Sequence, residues 1–147
     1  MNTVTNPIFL NESFTSGFIK GRENSEMFYW HFESRSDPST DPLVIWLSGG
    51  PGSSSLVNLF LENGPFKILD DLTLEKNIFS WNNKANIVFV DQPLGRNQFL
   101  INSNLKIIIF LEGTGFSNVG EEMIPKTLSE VALDFWEFLF GFYDIHK

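Results

Sequence analysis

Two apolar segments without polar alternation constrain the fold more than any other feature of the sequence. One is Leu43–Leu47 and the other is residues 85–90, which end at Asp91. Runs of this kind are typical of strands that are buried on both faces, as in parallel sheets. Two such strands with a helix between them imply a right-handed parallel crossover.

The sequence between these strands predicts the crossover helix over residues 54–62. A serine caps its start, Gly64 and Pro65 end it, and one face carries Leu56, Leu59 and Phe60. Before the first strand, residues 18–20 and 27–33 predict an antiparallel hairpin across the polar stretch 21–26.

The clearest helix is predicted after Thr127, which begins a capping box that includes Glu130. Its apolar face is Leu128, Val131, Ala132, Phe135, Leu139 and Phe142, while Glu130, Asp134 and Glu137 are expected to face elsewhere. The whole pattern predicts the front half of an α/β sandwich: an antiparallel hairpin, then parallel strands with crossover helices. Residues 1–147 are expected to form part of one domain.

Composition excludes several classes of function. The net charge is −8, which leaves no basic face for nucleic acid or for an anionic membrane, and the absence of cysteine excludes thiolate chemistry. No apolar run approaches the ~20 residues of a membrane-spanning helix. No zinc-protease, calcium-loop or dinucleotide pattern is present, so no cofactor is implied. Residues 1–7 show no signal-peptide pattern, so the compartment stays unknown.

A serine- and glycine-rich turn, residues 48–55, lies between the first buried strand and its helix. Glycines let a backbone approach a ligand closely, and N–H groups at a helix start attract anions. A phosphate loop needs a lysine that this turn lacks, and a serine nucleophile needs a G-x-S-x-G pattern that is absent. The remaining interpretation is an oxyanion loop, which α/β-hydrolases carry after the third strand.

These residues resemble the N-terminal part of serine carboxypeptidases, which are α/β-hydrolase exopeptidases of lysosomes, vacuoles and secretions. The resemblance runs from about Gly17 to Gly95 and resumes over residues 114–117. It rests on separated motifs in the family's order: Phe28-Tyr29-Trp30, Glu33-Ser34-Arg35, Trp46-Leu47-Ser48-Gly49-Gly50-Pro51-Gly52, Glu62-Asn63-Gly64-Pro65 and Asp91-Gln92-Pro93-Leu94-Gly95.

The resemblance implies supporting site residues but no catalytic triad, because the family's Ser, Asp and His would all lie beyond Lys147. Gly50, with Gly49, corresponds to the oxyanion hole. Ser48 and Glu62 correspond to positions that bind the C-terminal carboxylate of a peptide or protein substrate. Two close carboxylates cannot both ionise cheaply, which favours an acidic working pH for Glu62.

Ser48 departs from the peptidase pattern, which usually has Asn there. A serine hydroxyl carries one donor where an amide carries two, so a serine carboxypeptidase-like acyltransferase is an alternative. Residues 96–113 interrupt the family pattern with a segment rich in Ile, Asn, Leu, Phe and Lys. We interpret this segment as an atypical insertion, either translated non-coding sequence or an added edge strand.

Three hypotheses about the chain follow. The first is a truncated N-terminal portion of a serine-type carboxypeptidase, inactive alone because it lacks nucleophile and base. The second is a non-catalytic fragment that binds peptide ends. The third is a chain that does not fold, because its sheet has an open apolar edge.

Overall fold

The computed structural model describes residues 3–22, 24–50, 52–95, 98–99, 110–111 and 114–146. Its helices are α1 (Ser55–Leu61) and α2 (Leu128–Ile145), with short 3-10 helices at Pro7–Phe9, Trp81–Asn83 and Glu121–Met123. Its strands are β1 (Val4–Thr5), β2 (Ser13–Lys20), β3 (Ser25–Phe32), β4 (Leu43–Leu47), β5 (Phe66–Ile68), β6 (Leu74–Lys76), β7 (Asn86–Val90), β8 (Gln98–Phe99), β9 (Phe110–Leu111) and β10 (Asn118–Val119).

The main sheet has the order β1-β2-β3-β7-β4, and β10 pairs with β3 outside this path. Strands β2 and β3 form the predicted antiparallel hairpin, and β4 pairs in parallel with β7 from Leu43 opposite Asn86 to Leu47 opposite Val90. The predicted parallel crossover is therefore confirmed. It contains α1, which starts at the Ser54 cap, and the β5–β6 hairpin.

Helices cover both faces of this sheet, as the predicted sandwich requires. On one face, Phe138 and Phe142 of α2 pack in a buried cluster that includes Val88 and Val90 of β7. On the other face, Leu59 of α1 packs in a cluster with Ile87 and Phe89. All five residues of β7 are buried, because the strand has a neighbour on each side and a helix over each face. In the described ranges, no helix is long and apolar enough to cross a bilayer.

The expectation that Leu43–Leu47 is buried on both faces is wrong. Within the described residues β4 lies at the edge of the sheet and pairs only with β7. Its end residues, Leu43 and Leu47, are 50% and 39% exposed. An apolar run therefore predicted the strand and its parallel pairing, but not its position at an edge.

The predicted apolar face of α2 also needs correction. Leu128 and Ala132 are exposed, whereas Phe138 and Asp134 are buried. Asp134 turns inward because the Arg22 guanidinium, from the turn between β2 and β3, forms an ion pair with its carboxylate. Arg22 also donates to the carbonyl of Met123, so one side chain joins the hairpin to α2 and to the segment before it.

A second buried ion pair, between Arg35 and Glu12, connects the residues that follow β3 with the crossover. Arg35 donates to both carboxylate oxygens of Glu12, and it also reaches the carbonyls of Asn77 and Pro65. The side chains of Glu12 and Arg35 are only 5% and 15% exposed. Burial raises the pKa of Glu12, but the hydrogen bonds from Arg35 and Asn82 outweigh it, so that the pKa lies below its ordinary value.

Replacing Glu12→Gln is expected to lower the free energy of unfolding by about 3–5 kcal/mol at neutral pH, because it leaves a buried guanidinium unpaired. Because the pKa of Glu12 is lowered in the fold, this stabilisation is present above the ordinary glutamate pKa of ~4.3 and is lost as the pH falls through the lowered value. Denaturant unfolding at several pH values measures both effects.

The matched control is Lys76→Gln, since Lys76 also contacts Glu12, at 3.3 Å, but its side chain is 55% exposed. It is expected to cost less than about 1 kcal/mol. Equal losses in the two variants would contradict this account of the ion pair.

Candidate active site

The candidate site lies where β4 and β7 end. Because the two strands are parallel, their carboxyl ends meet at the same edge of the sheet, which is where ligands bind in open α/β folds. Ser48 follows β4 and Asp91 follows β7. Thus residues 48–50 and 52–54 of the turn, called here the glycine loop, lie beside Asp91.

The backbone of the glycine loop requires glycine at position 50. Gly50 has φ = +132°, and a Cβ there would lie 3.0 Å from the Gly52 nitrogen. Both Gly49 and Gly50 are exposed. Among the described residues, neither glycine N–H donates a hydrogen bond. The loop therefore presents two backbone donors that the described structure does not use.

Two serines fix the ends of the glycine loop. Ser54 caps α1, because its Oγ accepts from the Leu56 N–H at 3.2 Å. Ser55 is fully buried, and its Oγ accepts from the Ser48 N–H at 3.1 Å while it donates to the Val90 carbonyl at 2.6 Å. The first residue of the loop is thus tied to the end of β7 through a single hydroxyl.

Asp91 is the buried carboxyl group of this edge. Its Oδ1 accepts from Ser54 Oγ at 2.6 Å and from the Ser55 N–H at 3.0 Å, and its Oδ2 accepts from the Phe116 N–H at 3.0 Å. The side chain is 0% exposed. Burial raises the pKa of the Asp91 carboxyl above its ordinary value, and these hydrogen bonds oppose the shift only in part.

The structure brings together only some of the predicted site residues. Gly49 and Gly50 share the loop with Ser48, which is half-buried. Glu62 lies at the far end of α1, where its N–H donates to the Asn58 carbonyl and its side chain is exposed. Within the described part of the chain, no hydrogen bond joins Glu62 to Ser48 or to either glycine.

The two histidines of the chain lie away from the glycine loop. His31 Nδ1 is 3.4 Å from the Thr15 hydroxyl, and His146 Nε2 is 3.3 Å from the Tyr29 hydroxyl. Burial lowers the pKa of His31 to about 4. Among the described residues, neither imidazole is hydrogen-bonded to a serine, so the described structure holds no serine–histidine pair.

Sequence reasoning did not single out Ser55, Asp91 or Gly115 as site residues. For Asp91 a signal existed, since a carboxylate directly after a wholly apolar run marks the carboxyl end of a buried strand. For Ser55 and Gly115 the signal is weak, because their roles depend on contacts with residues 35 and 24 positions away.

The sheet, its two helical layers and the loop at the strand ends define an α/β protein of the α/β-hydrolase type. The chain belongs to the serine carboxypeptidase family, because the profile of that family matches residues 4–96. The resemblance noted from the motifs is therefore confirmed.

Individual relatives agree with this assignment. Carboxypeptidase Y homolog A of Ajellomyces capsulatus is 55% identical over 80 residues, which are 54% of this chain and 15% of that protein. Pheromone-processing carboxypeptidase KEX1 of Phytophthora infestans is 42% identical over 129 residues, 88% of this chain and 19% of that protein. The chain thus spans less than a fifth of the length of these relatives.

A solved structure is also similar. The crystal structure of Kex1(Δ)p, a prohormone-processing carboxypeptidase from Saccharomyces cerevisiae, superposes with a TM-score of 0.71 at 26% identity. The match covers 97% of this chain and 30% of that chain. The described fold therefore corresponds to part of a larger carboxypeptidase domain.

Proposed function

We propose that the chain provides the oxyanion side of the active site of a serine-type carboxypeptidase, an enzyme that releases C-terminal residues from peptides. The observation that carries the proposal is the pair of unused N–H donors at Gly49 and Gly50, in a member of the serine carboxypeptidase family. In acyl transfer, a nucleophile attacks the scissile carbonyl and its oxygen becomes negatively charged. Each backbone donor aimed at that oxygen is worth ~3–4 kcal/mol of transition-state stabilisation.

Gly50 is the donor in this proposal, and Gly49 provides a second N–H beside it. The position suits the role, because the loop precedes the N-terminus of α1, which adds a favourable potential for negative charge. The bonds from Ser48 to Ser55 and from Ser54 to Asp91 hold the loop in place before any ligand arrives. A donor that is already oriented does not reorganise as charge develops.

Ser48 and Glu62 are proposed to bind the terminal carboxylate of a peptide or protein substrate. Ser48 precedes Gly49 directly and is half-buried at the start of the glycine loop. Glu62 is exposed at the end of α1, where a substrate can reach its side chain. Because Ser48 offers one donor where the family usually has an amide, an acyltransferase acting on ester donors is the second candidate.

The chain alone is proposed to be inactive. Neither histidine is hydrogen-bonded to a serine among the described residues. Without a nucleophile and its base, oxyanion donors have no intermediate to stabilise. The chain by itself is then a peptide-binding fragment.

Peptide binding tests these roles directly. Calorimetric titration of the chain with an N-blocked peptide is expected to show tighter binding for the free C-terminal carboxylate than for the amide. Replacing Ser48→Asn is expected to tighten carboxylate binding roughly two- to tenfold, because it adds a donor to a charged group. Replacing Glu62→Gln is expected to change the affinity for the carboxylate peptide and to leave the affinity for the amide peptide unchanged.

The matched control for the charge change is Glu75→Gln, another exposed carboxylate, on β6. Equal affinity for carboxylate and amide peptides would exclude the carboxylate site. The same samples are expected to release no C-terminal residue, and turnover blocked by a serine-directed phosphonate would contradict the proposed inactivity.

Residues 96–113 are proposed to be an insertion within a single partial domain. Most of them lie outside the described residues, but β8 pairs antiparallel with β9, with Gln98 opposite Leu111. The two ends of the segment therefore lie next to each other. On either side of the segment Leu94 and Thr114 are buried, and Asp91 contacts Phe116 across the excursion.

A chain from which 96–113 is removed, with Gly95 joined to Thr114, is expected to keep cooperative thermal unfolding. Removing the segment lowers the closure cost of the Asp91–Phe116 contact by about 1 kcal/mol, so the melting temperature is expected to rise. Loss of the cooperative transition would show that the segment belongs to the fold.

A further inference from the structure

Asp91 is an unusual carboxylate for a buried position. Fully buried aspartates are normally paired with a cation, since an isolated buried charge is costly. No charged side chain among the described residues contributes to the pKa shift of Asp91, and the groups that face its carboxylate are the Ser54 hydroxyl and the Ser55 and Phe116 amides. In place of an ion pair, the carboxylate accepts three hydrogen bonds, from one hydroxyl and two backbone amides.

The first carboxylate oxygen contacts the start of α1. Oδ1 binds the Ser54 hydroxyl and the Ser55 N–H together. These are the last residue of the glycine loop and the first residue of the helix. Through Ser55 Oγ, the same connection reaches the Ser48 N–H at the beginning of the loop. Both ends of the glycine loop are thus held by one short path of hydrogen bonds that begins at Asp91.

The second carboxylate oxygen contacts residues 114–117. Oδ2 binds the Phe116 N–H, and the backbone carbonyl of Asp91 accepts from Ser117 Oγ at 2.5 Å. Gly115 has φ = +56°, and a Cβ there would lie 1.8 Å from Oδ2. The close approach of this segment therefore depends on glycine. Ser117 Oγ in turn accepts from the Phe28 N–H at 2.8 Å, which connects the segment to β3.

We propose that Asp91 is the positioning residue of the glycine loop: its two oxygens bridge the start of α1 and residues 114–117, and this bridge sets the direction of the Gly49 and Gly50 N–H groups. The inference rests on the proposed oxyanion role for its functional meaning. Its structural claim stands apart, because it concerns the loop in the absence of any ligand.

The bridge requires acceptors on both sides, which only the carboxylate supplies. In Asp91→Asn the side-chain carbonyl can serve Ser54 and Ser55, but the amide then points N–H groups at the Phe116 N–H. We expect the Phe116 amide to exchange its hydrogen roughly tenfold faster or more, as local opening becomes easier. If the bridge sets the loop, the Gly49 and Gly50 amide resonances also shift, although neither residue contacts Asp91.

The matched control is Asp134→Asn. Asp134 is also a buried aspartate, but it pairs with Arg22 at the hairpin and, among the described residues, makes no hydrogen bond to the glycine loop. We expect this variant to lower the melting temperature and to leave the Gly49 and Gly50 resonances unchanged. Shifts of equal size in both variants would show a general loss of stability and would overturn the proposal.

A titration of the unmodified chain decides the question even where Asp91→Asn does not fold. The Asp91 carboxyl carbon and the Gly49 and Gly50 amides are followed by NMR as the pH falls. We expect one shared midpoint, above the ordinary aspartate value because burial raises the pKa of Asp91. Glycine amide resonances whose chemical shifts do not change as Asp91 titrates would overturn the proposal. Since no ligand is added, failure here is distinguishable from failure of peptide binding, which would instead contradict the proposed function.

Discussion

The parallel pairing of β4 with β7 is the constraint on which the functional edge depends. It brings Ser48 and Asp91, which are 43 residues apart in sequence, to the same side of the sheet. Without that pairing, the Ser55 hydroxyl could not reach the Ser48 N–H and the Val90 carbonyl together. The glycine loop, the start of α1 and residues 114–117 then close around one buried carboxylate. The site therefore depends first on the parallel direction of β4 and β7, and only then on the individual side chains.

The residues that hold the glycine loop are different from the residues proposed to bind the oxyanion. Ser54, Ser55 and Asp91 use their polar atoms within the protein, whereas the Gly49 and Gly50 N–H groups have no acceptor among the described residues. Rigid support beneath unused donors is what electrostatic stabilisation of an oxyanion requires, since the donors need not reorient during the reaction. Membership of the serine carboxypeptidase family gives this arrangement its proposed reaction.

Sequence patterns predicted local structure and pairing well where one interaction dominates. The capping box at Thr127 and Glu130 starts α2 as expected, and the apolar run at residues 86–90 is a central strand. Sequence patterns failed where a residue or strand that is distant in sequence determines the local structure. Asp134 was expected to face away from the core, but Arg22 draws it inward, and β4 lies at an edge although its composition suits a buried strand. The oxyanion role of the turn at residues 48–55 stays a prediction from its serines and glycines, whereas the Asp91 bridge depends on Phe116, 25 residues away, which no local pattern reveals.

The central claim is that the Gly49 and Gly50 N–H groups are unpaired yet held in fixed positions. Amide hydrogen exchange and backbone relaxation, measured by NMR on the same sample, test both parts. The account predicts exchange near the rate of an unstructured peptide for the two glycines, protection for Ser48 and Ser55, and order parameters near ~0.85 across the loop. Glycine amides as protected as that of Ser48, or order parameters below about 0.6, would contradict it.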